Sequence, residues 1–150
     1  MSLKSEIKKA LRFSISDLIL FLRAFLWLGV MRAAIQFVAF QKIARWLGAK
    51  EGNAAPAPSS PQTQIGQRVG WAVETAARRT PWQSACLAQA LTGAVLLRGK
   101  KIPVLVYLGV AKGLNGEDFS AHAWLRCGED ILTGKAGHER FHVIATFVTQ

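Results

Sequence analysis

Two cysteines and three histidines are the side chains of this 150-residue chain best suited to nucleophilic or metal chemistry. Cys86 follows PWQSA and opens a run in which Leu87, Leu91, Ala94 and Val95 recur at helical spacing, which places it in the first or second turn of a helix ending near Leu97. Oriented backbone amides at a helix start favour a thiolate, and the thiolate is the nucleophilic form. His122 stands in FSAHAWLR, whose aromatic residues and flanking glycine-bearing turns predict a strand. A thiol at a helix start and an imidazole on a strand can act as nucleophile and general base, with a third polar group orienting the ring. Against this, a cysteine on an apolar helix is commonly a small buried hydrophobe, the role expected of Cys127.

Two other patterns invite different chemistry. His138, Glu139 and His142 in HERFH match the H-E-x-x-H zinc protease signature, which requires both histidines on one helix face. The segment leads instead into VIATFVT, which reads as a strand. At about 3.3 Å per residue the two Cα atoms would stand roughly 13 Å apart, too far to share an ion with Zn–N bonds of about 2.0 to 2.1 Å. The alternative is a turn and strand carrying two polar histidines. Gly93, Gly99 and Lys100 suggest a phosphate loop, yet five residues separate the glycines where the motif has four, and Lys101 stands where Ser or Thr is required.

The elements that must position Cys86 and His122 divide the chain in two. Residues 1–51 form an apolar, basic helical region: nine Lys and Arg side chains against Glu6, Asp17 and Glu51 make it +6, out of +10 for the whole chain. Lys4, Lys8, Lys9 and Arg12 begin it, and Phe13, Phe21, Phe25, Trp27, Phe37, Phe40 and Trp46 give it the aromatic content of an interfacial helix. Ile15 to Leu47 reads as one long helix or two, with Asp17, Arg23 and Arg32 interrupting it too often for a membrane span. The expectation is packing on the second half together with contact to a partner. Residues 52–63 hold three of the five prolines and read as a linker.

Residues 64–150 form the second region. Ile65, Val69, Ala72 and Ala76 predict a helix over 64–79, and Thr80, Pro81 and Gln83, or Ser84, supply cap candidates for the next one, which stops at Arg98 and Gly99. Extended segments follow at 104–110, 119–127, 131–133 and 141–149, separated by turns at Gly113 to Gly116, Gly128, and Gly134 to Gly137. The order predicts an α+β fold, with N-terminal apolar helices followed by two helices packed on an antiparallel sheet of strands in hairpin succession. A hydrophobic fraction of 51% excludes a disordered chain or a nucleic-acid tail made only of charge. Two cysteines and no signal-and-cleavage pattern predict free thiols in a reducing compartment.

The stretches TPWQSACLAQALTGAVLLRGKKIPVLVYLGV, SAHAWLRCGEDILTG and HERFHVIATF together resemble the leader peptidases of lasso-peptide biosynthesis, a transglutaminase-like, papain-like cysteine peptidase family with a Cys-His-Asp triad. The resemblance covers about residues 68–148. It implies a cytoplasmic cysteine peptidase, needing no cofactor, that removes the leader of a ribosomally made precursor. Cys86 is the implied nucleophile and His122 the base, with backbone amides and Gln83 as oxyanion donors. The family's acid usually lies about twelve positions after the histidine, where this chain has Gly134. Asp130 is the nearest carboxylate, in an expected hairpin turn, and Thr133 or a main-chain carbonyl are the other candidates to orient the ring. Implied partners are the precursor peptide and a macrolactam synthetase. A separate leader-binding protein joins them, since residues 1–51 do not read as a small mixed α/β recognition module. A membrane surface is a further contact and nucleic acid is not. The rival reading is a non-catalytic basic scaffold that docks on a membrane or a modification complex.

Overall fold

The structure, a computed structural model, describes residues 14–113, 115 and 118–150. Lys4, Lys8, Lys9, Arg12, Phe13 and Gly116 therefore lie outside the described residues. The expected long helix is α1, Ile15–Phe37, followed at once by the short α2, Phe40–Trp46. Ser14 caps α1 in a reciprocal box with Asp17. The Asp17 carboxylate also receives Arg68 from the next long helix, and this hydrogen bond, with help from Ser14, holds its pKa below the usual aspartate value.

Helix α3, Ser60–Ala77, begins inside the segment expected as linker. Ser59 and Gln62 form a capping box there and Pro61 fits the first turn, so the proline that marked a loop by composition belongs to a helix start. The site-bearing helix α4 is Cys86–Arg98. Five strands follow the antiparallel pattern: β1 Lys50–Glu51, β2 Val104–Lys112, β3 Phe119–Cys127, β4 Asp130–Thr133 and β5 His142–Thr149.

The α+β class is as expected, but two features of the sheet differ. Lys50 and Glu51, assigned to the helical region, pair with Val148 and Phe147 as an edge strand. The strand order is β1-β5-β2-β3-β4, so hairpin succession ends at β4 and β5 returns beside β2. That is the Greek-key order, with the chain from Gly134 to Phe141 as the return connection.

Helices α1, α3 and α4 pack together, and α3 and α4 also pack on the sheet. Helix α3 approaches β4 closely at Gly70, where a Cβ would stand 2.6 Å from the Leu132 carbonyl oxygen, so any larger residue would push helix and sheet apart. The N-terminal half is part of the same core. Leu28, Met31, Ile43 and Leu47 are buried in one cluster with Val69, Val73, Leu91, Leu97 and Leu125. By length and composition α1 could cross a bilayer, yet its Ala24, Leu28 and Met31 are already committed to this core.

Burial of four such large side chains contributes roughly 6 to 12 kcal/mol at about 1.5 to 3 kcal/mol each, comparable with the whole stability of a domain, about 5 to 15 kcal/mol. A fragment of residues 52–150 is accordingly expected to be poorly soluble and to lack cooperative unfolding. Circular dichroism with thermal melting checks this, and a soluble fragment melting like the full chain would contradict it.

Candidate active site

Cys86 is the first residue of α4, and the preceding Ala85 occupies the cap position without a side-chain hydrogen bond. The capping box suggested for Thr80 and Gln83 does not form. Thr80 Oγ1 lies instead 2.7 Å from Ser84 Oγ, with the backbone carbonyls of Ala77 and Trp82 as alternative acceptors of its one proton. Both candidate caps thus hold the turn between α3 and α4, and the first-turn amides around Cys86 find no side-chain acceptor among the described residues. Gln89, one turn further, donates its amide to the Ser84 carbonyl at 2.9 Å and ties the turn to the helix. Cys86 is partly exposed.

His122 sits on β3 opposite Gly109 of β2. Its ring lies 4.9 Å from the Phe141 ring and 5.8 Å from that of Trp124, two residues along the same strand. Trp124 in turn stacks on Tyr107 with ring planes 3° apart. These aromatics restrict the imidazole plane. His122 Nε2 lies 2.7 Å from the Gly134 carbonyl oxygen. A carbonyl only accepts, so Nε2 carries the proton and Nδ1 is the nitrogen left free to act as a base.

Cys86 and His122 line one open cleft of about 380 Å³, with Glu74, Ala77 and Arg78 from the end of α3, Gln89 from α4, and Gly134, Lys135 and Ala136 from the connection after β4. Glu74, Arg78 and Lys135 give the cleft charged walls of both signs.

The structure places Asp130 elsewhere. It is the first residue of β4, paired with Cys127, and not part of the turn itself. Its carboxylate accepts the Gln67 side-chain amide at 2.9 Å and lines a neighbouring depression with Trp71 and Glu129. Thr133 is fully buried and its hydroxyl has no hydrogen-bond partner among the described residues. Gln83 is exposed in the loop three residues before Cys86. Cys127 is buried among core side chains, and burial, assisted by the Asp130 charge, raises its thiol pKa and keeps it protonated.

The HERFH segment is a 3-10 helix over His138–Arg140 that passes into β5 at His142, where the sequence suggests a turn. His138 Nδ1 lies 2.7 Å from the Lys135 carbonyl oxygen, and its ring rests against Trp124. Among the described residues no group of three or more His, Cys, Asp or Glu side chains is placed to hold a metal ion. Phe141, Gln89 and Glu74 were not singled out by sequence. Only Phe141, next to the HERFH histidines, carries a signal, that of an aromatic entering a strand.

Gly134 holds its carbonyl in place with φ +73°, and a Cβ there would meet the Ala123 carbonyl oxygen at 2.5 Å. Gly134→Ala is therefore expected to displace that carbonyl and release His122 from a single tautomer. Long-range ¹H–¹⁵N spectra of the histidines check this: the wild type should show neutral His122 protonated at Nε2 alone, and Gly134→Ala a mixture.

A family model described as the transglutaminase-like superfamily matches residues 26–146, from within α1 to within β5. No curated protein and no solved structure matches the chain.

Proposed function

Because this chain belongs to the transglutaminase-like superfamily, we propose that it is a cytoplasmic cysteine peptidase that removes the leader from a ribosomally synthesised precursor, as in lasso-peptide maturation. The observation that carries this is the cleft shared by Cys86 and His122, with His122 Nε2 tied to the Gly134 carbonyl. The narrower choice of substrate is supported by the Cys-Leu and His-Ala-Trp motifs and their resemblance to the lasso leader peptidases.

In this mechanism His122 Nδ1 takes the Cys86 thiol proton, and the sulfur attacks the scissile carbonyl carbon. The oxyanion of the tetrahedral intermediate lies against first-turn amides of α4, which no side chain caps, with Gln83 as a further donor from the preceding loop. The imidazolium returns the proton to the leaving amine, which departs with the core peptide and leaves a thioester on Cys86. Water, deprotonated by His122, releases the leader. The freed amine is the group a macrolactam synthetase would join to a side-chain carboxylate. A separate leader-binding protein would present the precursor to the open cleft.

The Gly134 carbonyl takes the orienting position in this scheme. An uncharged carbonyl fixes the tautomer as a carboxylate would, though it stabilises the imidazolium less. Asp130 then acts through the Gln67 contact between β4 and α3.

Cleavage of a matching precursor, followed by mass spectrometry, tests the proposal. Cys86→Ala and His122→Ala should each abolish leader removal with the fold intact, while EDTA leaves it unchanged. Inhibition by EDTA that zinc reverses, with an active Cys86→Ala variant, would identify HERFH as the site instead. Asp130→Asn is expected to lose less than about tenfold in kcat. A loss near 10⁴, the scale for removing a carboxylate that orients a catalytic histidine, would return the third role to Asp130.

A further inference from the structure

Helix α1 buries one side in the core and leaves the opposite side, equally apolar, uncovered. Ile15, Ile19, Leu22, Leu26, Val30 and Phe37 recur at helical spacing along this outer side, and Ile15, Leu26 and Phe37 are 78%, 68% and 84% exposed. Over 23 residues the stripe is about 34 Å long. Scattered apolar side chains on a surface need no explanation, but a continuous stripe of this length marks an interaction face.

The charge around the stripe selects its occupant. Between residues 14 and 49 the cations are Arg23, Arg32, Lys42 and Arg45, and the single acid is Asp17, whose carboxylate is already engaged by Arg68. Beside Ile19 the stripe borders a depression of about 340 Å³ lined by Ser16, Arg23, Arg68 and Lys100. Arg23 and Lys100, with Arg68 already paired to Asp17, leave a net positive rim on an apolar surface, which fits a phosphate headgroup whose acyl chains lie along the stripe. A second copy of this chain fits poorly, because stacking two stripes would bring both sets of arginines together in a molecule of net charge +10.

We propose that the outer face of α1 seats the protein on an anionic phospholipid surface, with the helix lying in the plane of the interface and the depression between Arg23 and Lys100 receiving a lipid phosphate. Spanning the bilayer would pull Ala24, Leu28 and Met31 out of the core, whereas lying flat leaves the fold unchanged and sinks only the outer side chains to about 5 to 10 Å. This inference is independent of the peptidase reading, since it concerns a different face and is read without activity.

Flotation of the full chain with vesicles of phosphatidylglycerol and phosphatidylcholine, and with vesicles of phosphatidylcholine alone, tests it. The chain should float with the anionic vesicles, bind the neutral ones much more weakly, and dissociate as salt is raised. Leu22→Glu combined with Leu26→Glu should weaken binding at least tenfold with an unchanged melting temperature, both side chains being exposed. Arg23→Ala and Lys100→Ala should weaken it about fivefold each, a second route that leaves the apolar stripe intact. Absence of binding to anionic vesicles, or binding indifferent to both sets of substitutions, would overturn the proposal. So would sedimentation showing a dimer that the glutamates disperse, which would make the stripe an interface between copies.

Discussion

The burial of helix α4 is the constraint on which the rest of the structure depends. Of its thirteen residues, Ala88, Ala90, Leu91, Thr92, Gly93, Ala94, Leu96 and Leu97 are buried, and they touch α1, α3, β2, β3 and β4. A helix enclosed on all sides needs small residues where neighbours come close, which the alanines and Gly93 supply, and larger ones where gaps must be filled. With the body of the helix held this way, its first turn, Cys86 with Gln89, is left facing an open cleft. Cys86 therefore stands at a fixed point without being sealed in.

The two cysteines show how environment divides identical chemistry. Cys127 lies in the core, and the cost of burying a thiolate, with Asp130 nearby, keeps it a thiol. Cys86 lies at a helix start that no side chain caps, because Thr80 and Ser84 bond to each other and to the turn. A capping oxygen would compete for the amides that a thiolate or an oxyanion needs. The missing cap, a modest loss for the helix, is thus consistent with a site kept open for negative charge.

The N-terminal half serves two environments at once. Its inner side completes the core, with Leu28, Met31, Ile43 and Leu47 as much a part of the domain as Leu91 or Leu125. Trp82, from the loop just before Cys86, packs edge-on against Phe25 of α1 and over Gly29. Helix α1 therefore also braces the turn that precedes Cys86.

Periodicity and composition determined much of this protein by themselves. Strand β3 runs over the residues that aromatic content between glycine-bearing turns indicates, α4 ends at the expected Arg98, and the change from helices to strands after Pro103 fixes the α+β class. Those signals are local: a repeating apolar side chain reports which way a segment must face whatever its neighbours are. The helix start and the partner of His122 were another matter. Side-chain oxygens near a helix start look alike in sequence, and only the folded turn decides whether they cap the helix or bond to each other. Likewise every residue has a carbonyl, so nothing in the identity of Gly134 advertises that its oxygen meets the imidazole 2.7 Å away. That contact exists because β4 packs beside β3 and the chain turns back toward β5 with a positive φ at Gly134. The same holds for α1, whose two sides are equally apolar: sequence showed a helix that must be covered, and only the packing of α3 and α4 chose which side.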